Sequence, residues 1–182
     1  AWDADPVALA KRPDVDIFVE LMGGHEGPAK EATEAALNAG KDVVTANKAL
    51  LAHHGQKLAE KAENGGKVLR FEAAVAGGIP VVKALTEGLA GNDITRILGV
   101  MNGSCNYILT RMQTAGLSYA EVFAEAEALG YLEADPELDV GGIDAGHKLA
   151  LLSSIAYGTA VNFEGVEPVS YTHLRAHETK WH

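Results

Sequence analysis

The stretch Asp14-Val15-Asp16-Ile17-Phe18-Val19-Glu20-Leu21, followed by Met22-Gly23-Gly24, reads as a β-strand ending in a glycine turn. Its β-branched and aromatic residues favour an extended chain. Pro28 suits the first turn of a helix, residues 28–39 are alanine-rich, and Gly40 is a good helix stop. Asp42–Thr45 is a short apolar strand closed by Asn47-Lys48. A helix is expected over about 49–63, ended by Asn64-Gly65-Gly66, and a third strand over Lys67–Glu72. This β-α-β-α-β alternation predicts a parallel sheet with helices on its faces. Upstream, Ala1–Pro13 reads as a partial helix and loop.

Two loops in this half lie at strand C-terminal ends, where open α/β sheets bind ligands. Gly23 and Gly24 let backbone approach a cofactor closely, or simply serve a turn. Lys48 reaches a carboxylate or phosphate, or is a solvated lysine. The G-x-G-x-x-G turn that cradles a pyrophosphate is absent, as is the acidic residue that reads the ribose. Both are expected upstream of Ala1.

The second half changes character. Glu72-Ala73-Ala74-Val75-Ala76-Gly77-Gly78-Ile79-Pro80 is a small-residue turn leading into a helix over about 80–90. Ile94–Met101 reads as a strand, Asn102-Gly103-Ser104-Cys105-Asn106 as a polar turn, and Tyr107–Thr114 as helical. Ser118 and Glu121 make a capping box for a helix that ends at Gly130. Cys105 has no partner base that the sequence can place beside it, so it reads as a structural thiol. The histidines show no metal-ligand spacing, and His53-His54 reads as a helix-surface pair.

Residues 129–148 gather carboxylates and one lysine among glycines and a proline. Asp144 and Lys148 are spaced i, i+4, so a helix starting near Asp144 puts both on one face. Leu149, Leu151, Leu152 and Ile155 pack that helix into a core, while Glu133 and Asp139 belong to the preceding loop. Two readings stand at this point: a surface ion pair, or a lysine held among carboxylates to bind a polar substrate or move a proton.

At 182 residues, 47% hydrophobic and 22% charged, the chain has ordinary globular composition for one large domain or two small ones. A formal charge of −10 argues against a general nucleic-acid or membrane-surface binder. The single Cys105 excludes an intrachain disulfide and fits a reducing compartment.

Four ordered motifs then coincide with one family. They are Val44-Thr45-Ala46-Asn47-Lys48, Phe71 to Pro80, Asn102-Gly103-Ser104-Cys105-Asn106-Tyr107-Ile108-Leu109, and residues 129–148. Over roughly residues 1–167 the chain resembles homoserine dehydrogenase. The resemblance implies an α/β protein: a partial Rossmann-type parallel sheet (1–70) followed by part of an α+β catalytic and dimerisation domain (71–167). It implies reduction of L-aspartate 4-semialdehyde to L-homoserine with NADH or NADPH, in the cytoplasm, on the route to threonine and methionine. It further implies a small-molecule substrate and a homodimer or homotetramer when intact. Carried over, Lys148 resembles the catalytic lysine and Asp144 its partner. Glu133 and Asp139 resemble substrate ligands, with Tyr131, Gly103, Ser104 and Lys48 lining the same pocket. Met22, Gly23 and Gly24, with Asn47 and Lys48, resemble the nicotinamide end of the cofactor site. Glu72, Val75, Gly77 and Ile79 resemble a monovalent-cation loop for Na⁺ or K⁺. Ser104-Cys105 stands where the family commonly has Thr-Thr.

Set against the family, the chain reads as a fragment that lacks the first βαβ unit and leaves the family pattern near Pro168. Residues 168–182 are expected to be non-native, because Val169–Thr179 back-translates to a transposon-type sequencing adapter. The alternatives are another two-domain amino-acid dehydrogenase and a non-catalytic ligand-binding or dimerisation module.

Overall fold

The computed structural model describes residues 3–132 and 135–168. They divide into two compact units, one of residues up to Ile97 with Ala150–Phe163, the other of Leu98–Leu149 with residues from Glu164 onward.

The first unit is a three-stranded parallel sheet, β1 (Ile17–Glu20), β2 (Asp42–Thr45) and β3 (Leu69–Arg70), in that spatial order. Ile17 pairs with Asp42 and Val43 with Leu69. The crossovers are α2 (Pro28–Asn38) and α3 (Lys48–Asn64), preceded by α1 (Pro6–Ala10), which packs on α2. Alanine at positions 29, 32, 35 and 36 keeps the buried face of α2 thin. The larger side chains Phe18, Val43, Leu50, Leu51 and Leu58 fill the core. Each such leucine, fully buried, contributes about 1.5–3 kcal/mol. The opposite face of the sheet is open, with Ile17 and Val19 each 55% exposed.

Two expectations in this region need correction, and a third needs shorter bounds. The third strand is two residues long, because Glu72–Val75 turns into a helix, α4. The helix expected over about 80–90 is present with shorter bounds, α-helical at α5 (Val81–Lys83) and π-helical at Ala84–Gly88. Residues 94–101 form no strand: no ladder partner faces them among the described residues, and Leu98 and Val100 are 76% exposed. Their β-branched pattern has nothing to pair with, and an unpaired extended segment is not a sheet.

The second unit is helical: α6 (Gly103–Ala115), α7 (Tyr119–Ala128), α8 (Pro136–Val140) and the first half of α9 (Ile143–Tyr157). Ile108, Val122 and Ala126 form its core, surrounded by Tyr107, Met112, Leu117, Phe123, Leu132 and Val140. The capping box forms, with the Ser118 N–H 2.8 Å from Glu121 Oε2. Residues expected as a polar turn, 103–106, are instead the first turn of α6, because Asn102 caps it. The loop expected before Asp144 contains α8, capped by Asp135.

Candidate active site

Helices α8 and α9 are joined by Gly141-Gly142. A Cβ at Gly141 would stand 2.6 Å from the Glu137 carbonyl oxygen, so only glycine lets α8 turn this sharply into α9. The turn brings Asp139 of α8 and Asp144 of α9 together, 2% and 3% exposed. Between them lies the amide of Asn102. Its Nδ2 donates to Asp139 Oδ1 at 2.8 Å and to Asp144 Oδ2 at 3.0 Å. Lys148, one turn along α9, donates from Nζ to the same Asp144 Oδ2 at 2.7 Å and to the Met101 carbonyl at 2.8 Å. Asp144 also sits in the first turn of α9, where a carboxylate is favoured by the helix dipole.

Of the other predicted residues in this unit, Gly103 opens α6, and Ser104 Oγ donates to the Tyr131 carbonyl at 2.5 Å. The Tyr131 ring meets Tyr107 edge-on at 4.9 Å. Glu133 lies outside the described residues. Cys105 Sγ donates to the Asp139 carbonyl at 3.2 Å. Burial, followed by the charges of Asp139 and Asp144, pushes its thiol pKa up, which suits an inert thiol.

An ammonium has three N–H donors. Two of those on Lys148 go to Asp144 and Met101, so a third can meet a substrate oxygen. The ion pair is mostly withdrawn from water, where losing one partner would strand the other. That separates it from a solvated i, i+4 pair, the bland reading of the same spacing.

In the first unit the predicted cofactor residues form a second cluster. Asn47 Nδ2 donates to the Gly24 carbonyl at 2.7 Å, while its Oδ1 caps α3 through Leu50 N–H at 3.0 Å. Gly24 has φ 85°, a left-handed value that favours glycine. The Met22 N–H donates to Glu20 Oε1 at 2.5 Å. A Cβ placed on Gly23 would meet nothing within 4 Å, so backbone here is open to a flat ligand. Lys48 is the first residue of α3 and half-buried. The loop sits at the C-terminal ends of parallel β1 and β2, where open α/β sheets bind ligands.

The cation loop fits less simply. Glu72 does not offer its carboxylate: Oε1 and Oε2 accept from the N–H groups of Val82 and Lys83 at 2.7 and 2.9 Å, capping α5. The backbone carbonyls of Glu72 and Ile79 already accept from the N–H groups of Ala76 and Val81 at 3.0 and 2.8 Å, so a hard monovalent ion would have to share them. Among the described residues no cluster of three or more His, Cys, Asp or Glu side chains is arranged to hold a metal. His53 and His54 lie on α3, as expected of a surface pair, with His54 Nε2 2.7 Å from Glu26 Oε1.

Sequence reasoning missed Asn102, Glu20 and Thr45. Glu20 is fully buried and also accepts from Thr45 Oγ1 at 2.5 Å. A signal was present: strand alternation puts Glu20 on the same inward face as Phe18, where a carboxylate must have a partner.

Comparison with known proteins matches residues 4–72 to the family model "Homoserine dehydrogenase, NAD binding domain" and residues 80–181 to "Homoserine dehydrogenase". The second match runs through the tail expected to be non-native, whose residues from 169 on lie outside the described structure. Homoserine dehydrogenase of Neisseria gonorrhoeae is 48% identical over 181 residues, 100% of this chain and 41% of that protein. That of Pseudomonas aeruginosa is 51% identical over 161 residues, 88% of this chain and 37% of that protein. Among solved structures, homoserine dehydrogenase from Thiobacillus denitrificans has a TM-score of 0.90 at 46% identity, covering 94% of this chain and 39% of that one. A hyperthermophilic archaeal homoserine dehydrogenase in complex with NADPH has a TM-score of 0.80 at 32% identity, covering 92% of this chain and 53% of that one. The chain thus spans about two-fifths of the length of the curated relatives it matches. On these matches and this fold, the chain belongs to the homoserine dehydrogenase family.

Proposed function

We propose that the chain is a segment of an NAD(P)-dependent oxidoreductase interconverting L-homoserine and L-aspartate 4-semialdehyde, a small-molecule enzyme of amino-acid biosynthesis. Residues 1–70 are assigned to the cofactor domain and 71–167 to the catalytic domain. The two family matches, at 4–72 and 80–181, support that division. The observation that carries the reading is the network Lys148–Asp144–Asn102–Asp139, a lysine fixed among mostly buried carboxylates. Met22, Gly23, Gly24, Asn47 and Lys48 would hold the cofactor at its nicotinamide end; the archaeal neighbour with NADPH supports the choice of NAD(P).

When bound, NAD(P)H would supply the hydride that the aldehyde carbon takes up. As charge builds on the carbonyl oxygen, Lys148 stabilises it and donates a proton from Nζ. Asp144 and the Met101 carbonyl hold the ammonium on its line of approach. In the oxidation direction Lys148 takes the hydroxyl proton back. Glu133 and Asp139 are assigned to the substrate's polar end, with Tyr131, Gly103 and Ser104 beside them. Fixing that end orients the carbonyl for transfer.

A Na⁺ or K⁺ ion is assigned to the carbonyls of Glu72, Val75, Gly77 and Ile79. Titrating each ion into metal-free enzyme should raise activity; equal activity with and without both would dismiss the site. The function itself is tested by extending the chain to the length of its relatives and following NAD(P)H formation from L-homoserine. Turnover with homoserine and none with other hydroxy amino acids is expected.

A further inference from the structure

We propose that Asn102 is a positioning residue for Lys148, acting through Asp144. The inference rests on the reading of Lys148 as the proton donor.

The amide of Asn102 is committed at three points. Its Oδ1 accepts from the Cys105 N–H at 2.8 Å and caps α6. That bond fixes which way the amide faces, so Nδ2 must point at the carboxylates. Nδ2 then bonds Asp139 Oδ1 at 2.8 Å and Asp144 Oδ2 at 3.0 Å. An amide nitrogen has two hydrogens, and both are used. The two carboxylates come from different helices, α8 and α9, and are almost fully buried. Buried carboxylates are costly unless hydrogen-bonded. A neutral double donor between them gives each carboxylate a hydrogen bond and ties α8 to the start of α9 beside Lys148.

Asp144 Oδ2 is shared between Asn102 and Lys148. The second acceptor of Lys148 is the carbonyl of Met101, next to Asn102 in the chain. Residues 101 and 102 therefore set the lysine twice, once directly and once through the carboxylate. The charged and titratable groups linked to Asn102 are Cys105 on α6, Asp139 on α8 and Asp144 on α9, with Lys148 bonded to Asp144. A residue needed only to cap α6 could as well be aspartate, which is equally favoured at an N-cap. Only asparagine caps the helix and also donates to both carboxylates.

Asn102→Asp and Asn102→Ala separate these roles in the full-length enzyme. Asn102→Asp keeps the cap but replaces the double donor with a third carboxylate. Its kcat should fall on the order of 10²-fold at neutral pH, the cost of a mispositioned catalytic group. The deficit should narrow as pH falls, because the introduced carboxyl group regains one donor when it is protonated. Asn102→Ala should also lower kcat, and should speed labelling of Lys148 by an amine-acylating reagent, read by peptide mass spectrometry. Wild-type kcat and pH profile in a folded Asn102→Asp enzyme would overturn the proposal, since a cap alone explains that result. Unchanged Lys148 labelling in Asn102→Ala would overturn it independently. Lys148→Ala, run alongside, tests the underlying reading. If that variant keeps turnover, Lys148 is not the donor, while labelling of the Asn102→Ala enzyme still reports whether Asn102 holds the lysine.

Discussion

Lys148 Nζ lies 2.7 Å from Asp144 Oδ2, one turn apart on α9, with the Asp144 side chain 4% and the Lys148 side chain 20% exposed. Exposed pairs at this spacing are worth a few tenths of a kcal/mol. Burial changes the consequence of breaking this one.

Asp144→Ala should destabilise the protein by about 3–5 kcal/mol, because it strands a mostly buried ammonium and the Asn102 amide. Turnover should fall too, and the double variant with Lys148→Ala should lose little more than either alone. Urea unfolding and steady-state kinetics on the three variants check both statements. Additive losses would mean the residues act separately.

Glu20 is predicted to hold the cofactor loop. Its carboxylate accepts from Met22 N–H and Thr45 Oγ1, while Asn47 N–H donates to Thr45 Oγ1 at 3.0 Å. Glu20→Gln leaves a single acceptor oxygen where two donors, the Met22 N–H and the Thr45 hydroxyl, now bond. The expected result is weaker NAD(P)H binding by calorimetry, faster hydrogen exchange at the Met22 amide, and an unchanged KM for homoserine. Unaltered exchange at Met22 would refute the assignment.

The parts of this fold legible in the sequence are those that local chemistry decides. Strand β2 falls on Asp42–Thr45 as expected, α2 begins at Pro28, and Ser118 caps α7. Residues 94–101 read as a strand and are not one, because a strand depends on a partner and none faces them among the described residues. Helix α6 begins four residues before the expected Tyr107 because the Asn102 side chain accepts the Cys105 N–H, and Asn-Gly-Ser also suits a turn. Of the site, the Asp144–Lys148 pair is visible through its spacing. Asn102 is not, since its partners lie 37 and 42 residues away. Glu72 resembles part of a cation loop, yet its carboxylate reaches forward ten and eleven residues to cap α5.

Cys105 should be slow to alkylate. Burial first, and the charges of Asp139 and Asp144 second, raise the thiol pKa above its ordinary value. The thiolate fraction at neutral pH is then below that of a free cysteine, and the rate should climb only at more alkaline pH. Iodoacetamide labelling against a pH series checks this. Cys105→Ser should keep turnover; a large loss would give the thiol a chemical role.

In the proposed mechanism Lys148 moves the proton. The direct measurement is homoserine oxidation across pH by full-length Lys148→Ala and Lys148→Arg, with folding verified for each. Turnover should fall by about 10²–10⁴-fold in Lys148→Ala, the usual loss of a positioned acid–base group. Arginine should rescue little, because it keeps the charge and does not release a proton. Near-normal turnover in folded Lys148→Ala would contradict the account and leave the lysine a structural partner of Asp144.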